Sequence, residues 1–331
     1  MYQLRLTFVL MFLVCSSLQF KIREQEITTE ELSKRVIAFN SWYHQLNPDS
    51  KHLEAKLMPD NTIKLITNEP IKENDIYLSV KRDCFIRNID VYDTKFGESI
   101  HEMEETFGYD DIANYVIWII SEIHNPESKW KPYLDLLPLK PAGLVADYWT
   151  NKVWIEQELK HTSIPKKAFE RRLMLDKKSR NIHDAYTKAF PSLFDKEVFS
   201  IENIDWAITT IESRLIFLNY EGFLLPMLDF MSFGANKINP SKVISFDKDE
   251  NFNITFKAIT SFGAKTTIYD NPGFSNERLL VSTGKVSVGS NTDCYNIVLS
   301  FSGRKEDTLS KNRSDFFSKY FMFDQGHFDV M

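Results

Sequence analysis

The chain reads as an α+β fold of small β-sheets interrupted by helices, on three observations. Two short strand-like runs, Thr62-Ile-Lys-Leu-Ile-Thr67 and Ile76-Tyr-Leu-Ser-Val80, stand near its N-terminal end. A long helical stretch then fills most of the chain from about Phe96 to Asp205. Strand-like runs return after Met231 and end in Lys265-Thr-Thr-Ile-Tyr269. Strands set on either side of a helical block give segregated layers.

Composition sets the outer limits. The 331 residues could hold one large or two ordinary domains. No internal repeat or Gly/Ser-rich linker divides them, so one intertwined unit is expected. Apolar residues make up 43% and aromatics 14%, with 26 Phe, enough for a sizeable core and unlike a disordered chain. A net charge of -6 excludes a general nucleic-acid binder, which needs a basic face to neutralise phosphates. The basic runs Lys166–Arg172 and Lys177–Arg180 read as solvated helix faces. Cys15, Cys84 and Cys294 form no CxxC pair, and no HExxH occurs; neither a redox pair nor a metal site is expected.

The elements follow in chain order. Met1 to Gln19 reads as a secretory leader: Arg5 is its basic end, Leu6 to Cys15 its apolar stretch, and Ser17 its cleavage point. The stretch is too short to span a bilayer, which takes about 20 apolar residues. A mature chain with no stable membrane span, in the secretory pathway or an organelle reached through it, is therefore expected. Asn253-Ile-Thr255 and Asn312-Arg-Ser314 would then be glycosylation acceptors. If the segment instead packs as a buried helix, the compartment is the cytoplasm.

Thr28 or Thr29, followed by acidic residues, opens a helix whose Leu32, Val36, Phe39 and Trp42 repeat at helical spacing. The runs Thr62–Thr67 and Ile76–Val80 are read as a hairpin around Asn68–Asp75. Asn74 there tolerates the positive φ of a turn. Asp110–Ile123 is a helix with a dense apolar face. After it, Trp130, Pro132 and Tyr133 make a rigid aromatic corner with a structural role. Pro165–Phe190 is a charged helix and Ser200–Arg214 a further one.

Four motifs carry a resemblance. They are Trp130-Lys-Pro-Tyr-Leu-Asp-Leu-Leu-Pro138; Trp206-Ala-Ile-Thr-Thr-Ile-Glu-Ser-Arg214; Pro226-Met-Leu-Asp-Phe-Met-Ser-Phe233; and Ser275-Asn276 with Leu279-Leu280 and Gly284. Their order resembles the SET-domain methyltransferases, in the branch of Rubisco large-subunit lysine methyltransferase and the actin-histidine methyltransferases. It covers roughly Glu30 to Ser302. The resemblance implies SET-type small β-sheets with a knotted C-terminal segment, a split domain over 28–302 and a helical insertion over about 97–205. Residues 303–331, with a helix around Ser310–Lys319, would be a truncated remnant of a substrate-binding region.

It also implies S-adenosylmethionine as methyl donor, with roles for particular residues. Arg214 closes the Trp-Ala…Ser-Arg motif and would pair with the donor's carboxylate, for which a guanidinium offers two parallel donors. Tyr269 corresponds to the family's catalytic channel tyrosine, although Asp270–Phe274 makes a longer turn before Ser275. Ser232 and Phe233 stand where the family has Asn-His at the donor; a backbone contact there survives the replacement. Asn61 lies in Pro59-Asp-Asn-Thr62, where the family has a Gly-x-Gly loop against the donor. A Cβ at each position limits that approach. The family's tyrosine before Gly284 is Thr283.

The function implied is a methyltransferase acting on a protein substrate, at lysine before histidine. Positioning and exclusion of water would supply most of the rate, with no metal. Arg214 and Tyr269 favour this reading. The replaced Asn-His pair and missing glycines favour the alternative, a SET-like binding or scaffold protein without catalysis.

Overall fold

The computed structural model describes residues 27–108, 110–138, 143–146, 148–218, 221–233, 254–258, 260–270, 275–287, 295–300 and 325–330. The leader, both glycosylation asparagines and the helix expected around Ser310 lie outside them.

Thr28 caps α1 (Thr29–Leu46) by accepting the Glu31 amide, as its acidic first turn predicts. Val36, Phe39 and Tyr43 bury the inner face of α1. The first hairpin differs from the expected one. β1 (Leu53–Leu57) pairs antiparallel with β2 (Ile63–Thr67), from Leu53 opposite Thr67 to Leu57 opposite Ile63. Asn61, at φ +60°, turns the chain between them. β3 (Ile76–Val80) leaves β2 and pairs antiparallel with a strand far along the chain, Ile254–Lys257. The Asn68–Asp75 segment is a crossing loop. Its backbone exchanges hydrogen bonds with Phe262 through Ile71, and its Asn74 amide donates to Ala258. Asn74 sits at φ +68°, the conformation expected of it.

The helical block begins with α2 (Gly97–Phe107) and α3 (Asp111–Ile123). Asp110 caps α3 by accepting the amides of Ile112 and Ala113, and every residue from Ala113 to Ile120 is buried. The aromatic corner follows in the short α4 (Lys131–Leu134). Trp130 packs edge-on against both Trp42 of α1 and Trp118 of α3, with ring centroids 5.8 Å apart in each pair. Then come α5 (Gly143–Ala146), α6 (Tyr148–Glu158), the long α7 (Ile164–Ala189) and α8 (Ile201–Glu212). Ser200 caps α8 through the Asn203 amide.

The basic runs of α7 are more than a solvated face. Arg172 is buried and reaches the carboxylates of Asp176 and Asp205, while Lys167 and Arg171 pair with Glu277 and Glu212. These cations dock α7 onto its neighbours, because a buried guanidinium needs carboxylate partners. That spends much of the positive charge a nucleic acid would need.

The remaining elements are short. β4 (Ile216–Leu218) and β5 (Glu221–Phe223) form a hairpin. β6 (Ser232–Phe233) pairs in parallel with β8 (Tyr269–Asp270), and β7 (Ile254–Lys257) is the partner of β3. α9 (Asn276–Thr283) ends at Gly284, whose φ of +70° is a left-handed cap open to glycine. β9 (Tyr295–Ser300) and β10 (Gln325–Val330) close an antiparallel pair. Among the described residues every sheet is two-stranded, which is the α+β architecture expected, with the helical block set between small sheets. One main core joins α1, strands β1–β5 and β7, α3, the aromatic corner and α8. Among the described residues no helix is long and apolar enough to cross a membrane.

Candidate functional site

Arg214 follows the last turn of α8 and keeps its amide on Ile211. Its Nη1 donates to Ser213 Oγ at 2.8 Å and to the Thr210 carbonyl at 3.3 Å. Its Nε stands 3.5 Å from Asp229 Oδ2, with the arginine side chain 18% exposed and the aspartate 1%. The same Oδ2 accepts the Tyr133 hydroxyl. The corner tyrosine, read from sequence as structural, therefore reaches directly into the charge network.

Asp229 occupies a 3-10 turn, Leu228–Phe230, in the apolar run after β5. Phe230 anchors that turn by packing edge-on against Phe39 at 5.2 Å. Burial pushes the Asp229 carboxyl up to about 7, against the opposing pull of Arg214 and then of the Tyr133 hydroxyl. Tyr133 is driven well above the usual tyrosine range, first by burial and then by the Asp229 charge. Lys285, beyond Gly284, is exposed as a residue, yet desolvation of its ammonium and the Arg214 cation lower its pKa. Two oxygens in this cluster, Asp229 Oδ1 and Thr210 Oγ1, are buried without a hydrogen bond among the described residues.

Three residues beyond Asp229 the chain enters β6. The Ser232 amide donates to the Ile268 carbonyl at 3.1 Å, and Ser232 lies opposite Tyr269 in the parallel pair. Ile268 in turn donates to Leu65 of β2 at 2.9 Å. One short segment thus ties Arg214, through Asp229 and Ser232, to Tyr269. Phe233 joins by backbone, opposite Asp270. Asn61 is set apart at the exposed tip of the β1–β2 hairpin, where its Oδ1 accepts from Thr29 Oγ1 at 3.1 Å. Among the described contacts none joins it to the other four.

Ser275 and Asn276, part of the fourth motif, fold the chain locally. Ser275 caps α9 through the Arg278 amide, and Asn276 clips the segment after the helix by donating to the Ser287 carbonyl and accepting its amide. The sequence suggests no role for Asp229 and only a structural one for Tyr133. The signal for the first was an acid inside Phe223-Leu-Leu-Pro-Met-Leu-Asp-Phe-Met231, since a carboxylate in an apolar run must be buried and partnered. Nothing in the sequence pointed Tyr133 at it.

No protein-family model matches the chain. Its sequence is 24% identical over 312 residues to the actin-histidine N-methyltransferase of Drosophila melanogaster, taking in 86% of this chain and 55% of that protein. The chain thus spans about half the length of that curated relative. In structure it resembles the SET domain of LSMT bound to lysine and AdoHcy, with a TM-score of 0.66 at 17% identity over 90% of this chain and 67% of that one. Rubisco LSMT bound to AdoMet gives 0.65 at 18% identity, over 90% and 66%. Rubisco LSMT bound to sinefungin and monomethyllysine gives 0.66 at 18% identity, over 89% and 66%.

Proposed function

We propose that this chain, which has the SET-domain fold, is an S-adenosylmethionine-dependent protein methyltransferase acting on a lysine side chain. The observation that carries the reading is the linkage of Arg214, Asp229, Ser232 and Tyr269 through one segment. A guanidinium suited to a carboxylate stands at one end of it and a phenol at the other. The charge cluster fits the amino-acid end of the methyl donor: the partly exposed Arg214 guanidinium for its carboxylate, held in place from behind by the buried Asp229. When bound, S-adenosylmethionine supplies a methyl group on a positively charged sulfur. Arg214 holds the donor's head group, the Ser232 and Phe233 backbone flanks it, and Tyr269 orients the acceptor nitrogen. That nitrogen must be neutral, because its lone pair forms the new bond.

The lysine acceptor is supported by the LSMT structures, which are bound to lysine and to monomethyllysine. The curated relative is a histidine enzyme, so histidine is the competing acceptor. Amino-acid analysis of a protein methylated in vitro separates the two. We also propose that residues 1–19 act as a leader into the secretory pathway or an organelle reached through it, which mass spectrometry of the mature N-terminus tests.

A thermal-shift titration with S-adenosylmethionine and its demethylated product tests the donor. Ligand at a hundred times its dissociation constant stabilises by about 2.7 kcal/mol. A shift that disappears in Arg214→Ala supports the reading, and no shift at millimolar ligand overturns it.

A further inference from the structure

A cavity of about 910 Å³ opens between α2, α3, α7 and the β4–β5 hairpin, and none of Arg214, Asp229, Ser232 and Tyr269 lines it. We propose that it is a docking site for a basic, partly apolar segment of the protein substrate. The inference rests on the protein-methyltransferase reading above and adds how such a substrate would be held.

Charge comes first. Glu104, Asp110, Asp111 and Asp184 line the cavity against one cation, Lys178. That lysine is committed to Asp110 at 2.9 Å, and Asp184 holds Lys188 at 2.8 Å. Glu104 accepts hydrogen bonds from the neutral Tyr92 and Asn114, and among the described residues its one basic neighbour is His101, at 3.9 Å, while Asp111 is exposed and makes no ion pair among them. The wall therefore carries carboxylates without matching cations. It attracts a positive ligand and repels phosphate groups of nucleic acid or lipid.

A second, independent observation lies in the cavity lining. Asn114 is 1% exposed. Its Nδ2 donates to Tyr92 Oη at 3.1 Å and to Glu104 Oε1 at 3.2 Å, but its Oδ1 has no hydrogen-bond partner among the described residues. A buried amide oxygen left without a donor is costly, so a small shift of the lining that brings a lysine or arginine N–H onto it is favoured.

The apolar part comes from Phe217 on β4, a ring left 63% exposed at the cavity wall, with buried Tyr115 and Ile182 beside it. A segment placing a basic side chain against Glu104 and Asp111, and an apolar one over Phe217, satisfies both features. Leu215, which also lines the cavity, directly follows Arg214. An occupant extending along β4 would head toward the candidate site.

The test uses the full chain and a fluorescent, terminally blocked Lys-Leu-Lys-Phe-Lys peptide, read by anisotropy without methyl donor. The peptide should bind, and a counterpart with glutamate for lysine should not. The double variant Asp111→Asn/Phe217→Ala, changed only at exposed side chains, should bind at least about fivefold more weakly. Glu158→Gln, an exposed charge on α6, should leave binding unchanged, and thermal melts of both variants check that they are folded. Equal binding by the double variant and the parent overturns the proposal, as does equal affinity for the acidic peptide. Displacement of the peptide by spermine at equal concentration overturns it in favour of a small polyamine ligand. Because no donor enters this assay, its failure leaves the methyltransferase reading standing, and loss of donor binding leaves this result standing.

Discussion

The two ends of the candidate site are held in place by different means. At the Arg214 end, side chains do the holding: a guanidinium, a buried carboxyl and a phenol, each placed by the next. At the Tyr269 end the holding is done by backbone, through the parallel β6–β8 pair and the Ile268–Leu65 bond that ties it to β2. Side chains can be exchanged where peptide groups set the geometry, and cannot where they are the geometry. Ser232 and Phe233, which replace the Asn-His of the resembled family, lie at the backbone-held end, and Asp229 lies at the other.

The sharpest test of that contrast is to remove one side chain from each end. Asp229→Ala strips Arg214 of its carboxylate in a mostly buried setting, which should cost about 3 kcal/mol when measured by urea unfolding at pH 8. Ser232→Ala should stay within about 1 kcal/mol under the same conditions. Equal costs at the two ends would abolish the distinction.

A pH titration asks the same question with no mutation at the backbone end. The Asp229 carboxyl is raised from 3.8 to about 7 in the folded chain. Below 3.8 it is protonated in both states. Between those values the folded chain keeps a proton that the unfolded chain releases, so stability falls as pH rises toward neutrality, by at most about 1.4 kcal/mol per pH unit. Asp229→Asn, neutral at every pH, should flatten the slope. An unchanged slope in that variant would assign it to other groups.

A smaller change at the same end is Tyr133→Phe, which keeps the ring in the aromatic corner and deletes only the hydroxyl. A hydrogen bond to a charged group is worth about 1.5–3 kcal/mol, and the loss should be larger at pH 8 than at pH 5. A pH-independent loss would mean that the hydroxyl matters for packing alone.

These elements were unevenly legible in the sequence. Helices depend on neighbours a few residues away, so those opening near Thr28, Asp110 and Ser200 are legible, and the structure makes each of these residues the cap of its helix. Strand pairing does not work that way. The Leu53-Glu-Ala-Lys-Leu57 alternation of β1 is too short to stand out, and β3 follows β2 closely enough to suggest a hairpin, although its partner lies at Ile254–Lys257. The Tyr133–Asp229 contact has the same character: two motifs were visible, and only tertiary structure brings one against the other. Arg214 and Tyr269 came from resemblance alone, and the segment linking them emerged only from the fold.

The least of the expected effects probes the backbone-held end at its furthest support. Asn74 turns the crossing loop at φ +68° while its amide donates to Ala258 at 2.8 Å, and the loop's Ile71 exchanges bonds with Phe262. That loop connects β2, which accepts the Ile268 amide, to β3, so its shape helps set where β6 and β8 meet. Alanine resists a positive φ and glycine adopts it freely, so Asn74→Ala should cost about 0.5–1 kcal/mol while Asn74→Gly stays near the parent. Neither substitution removes a side chain from the charge network, so the pH slope assigned to Asp229 should be the same in both. If Asn74→Ala altered that slope as well as the stability, the two ends would be coupled through the loop, and the division between side-chain and backbone support would have to be abandoned.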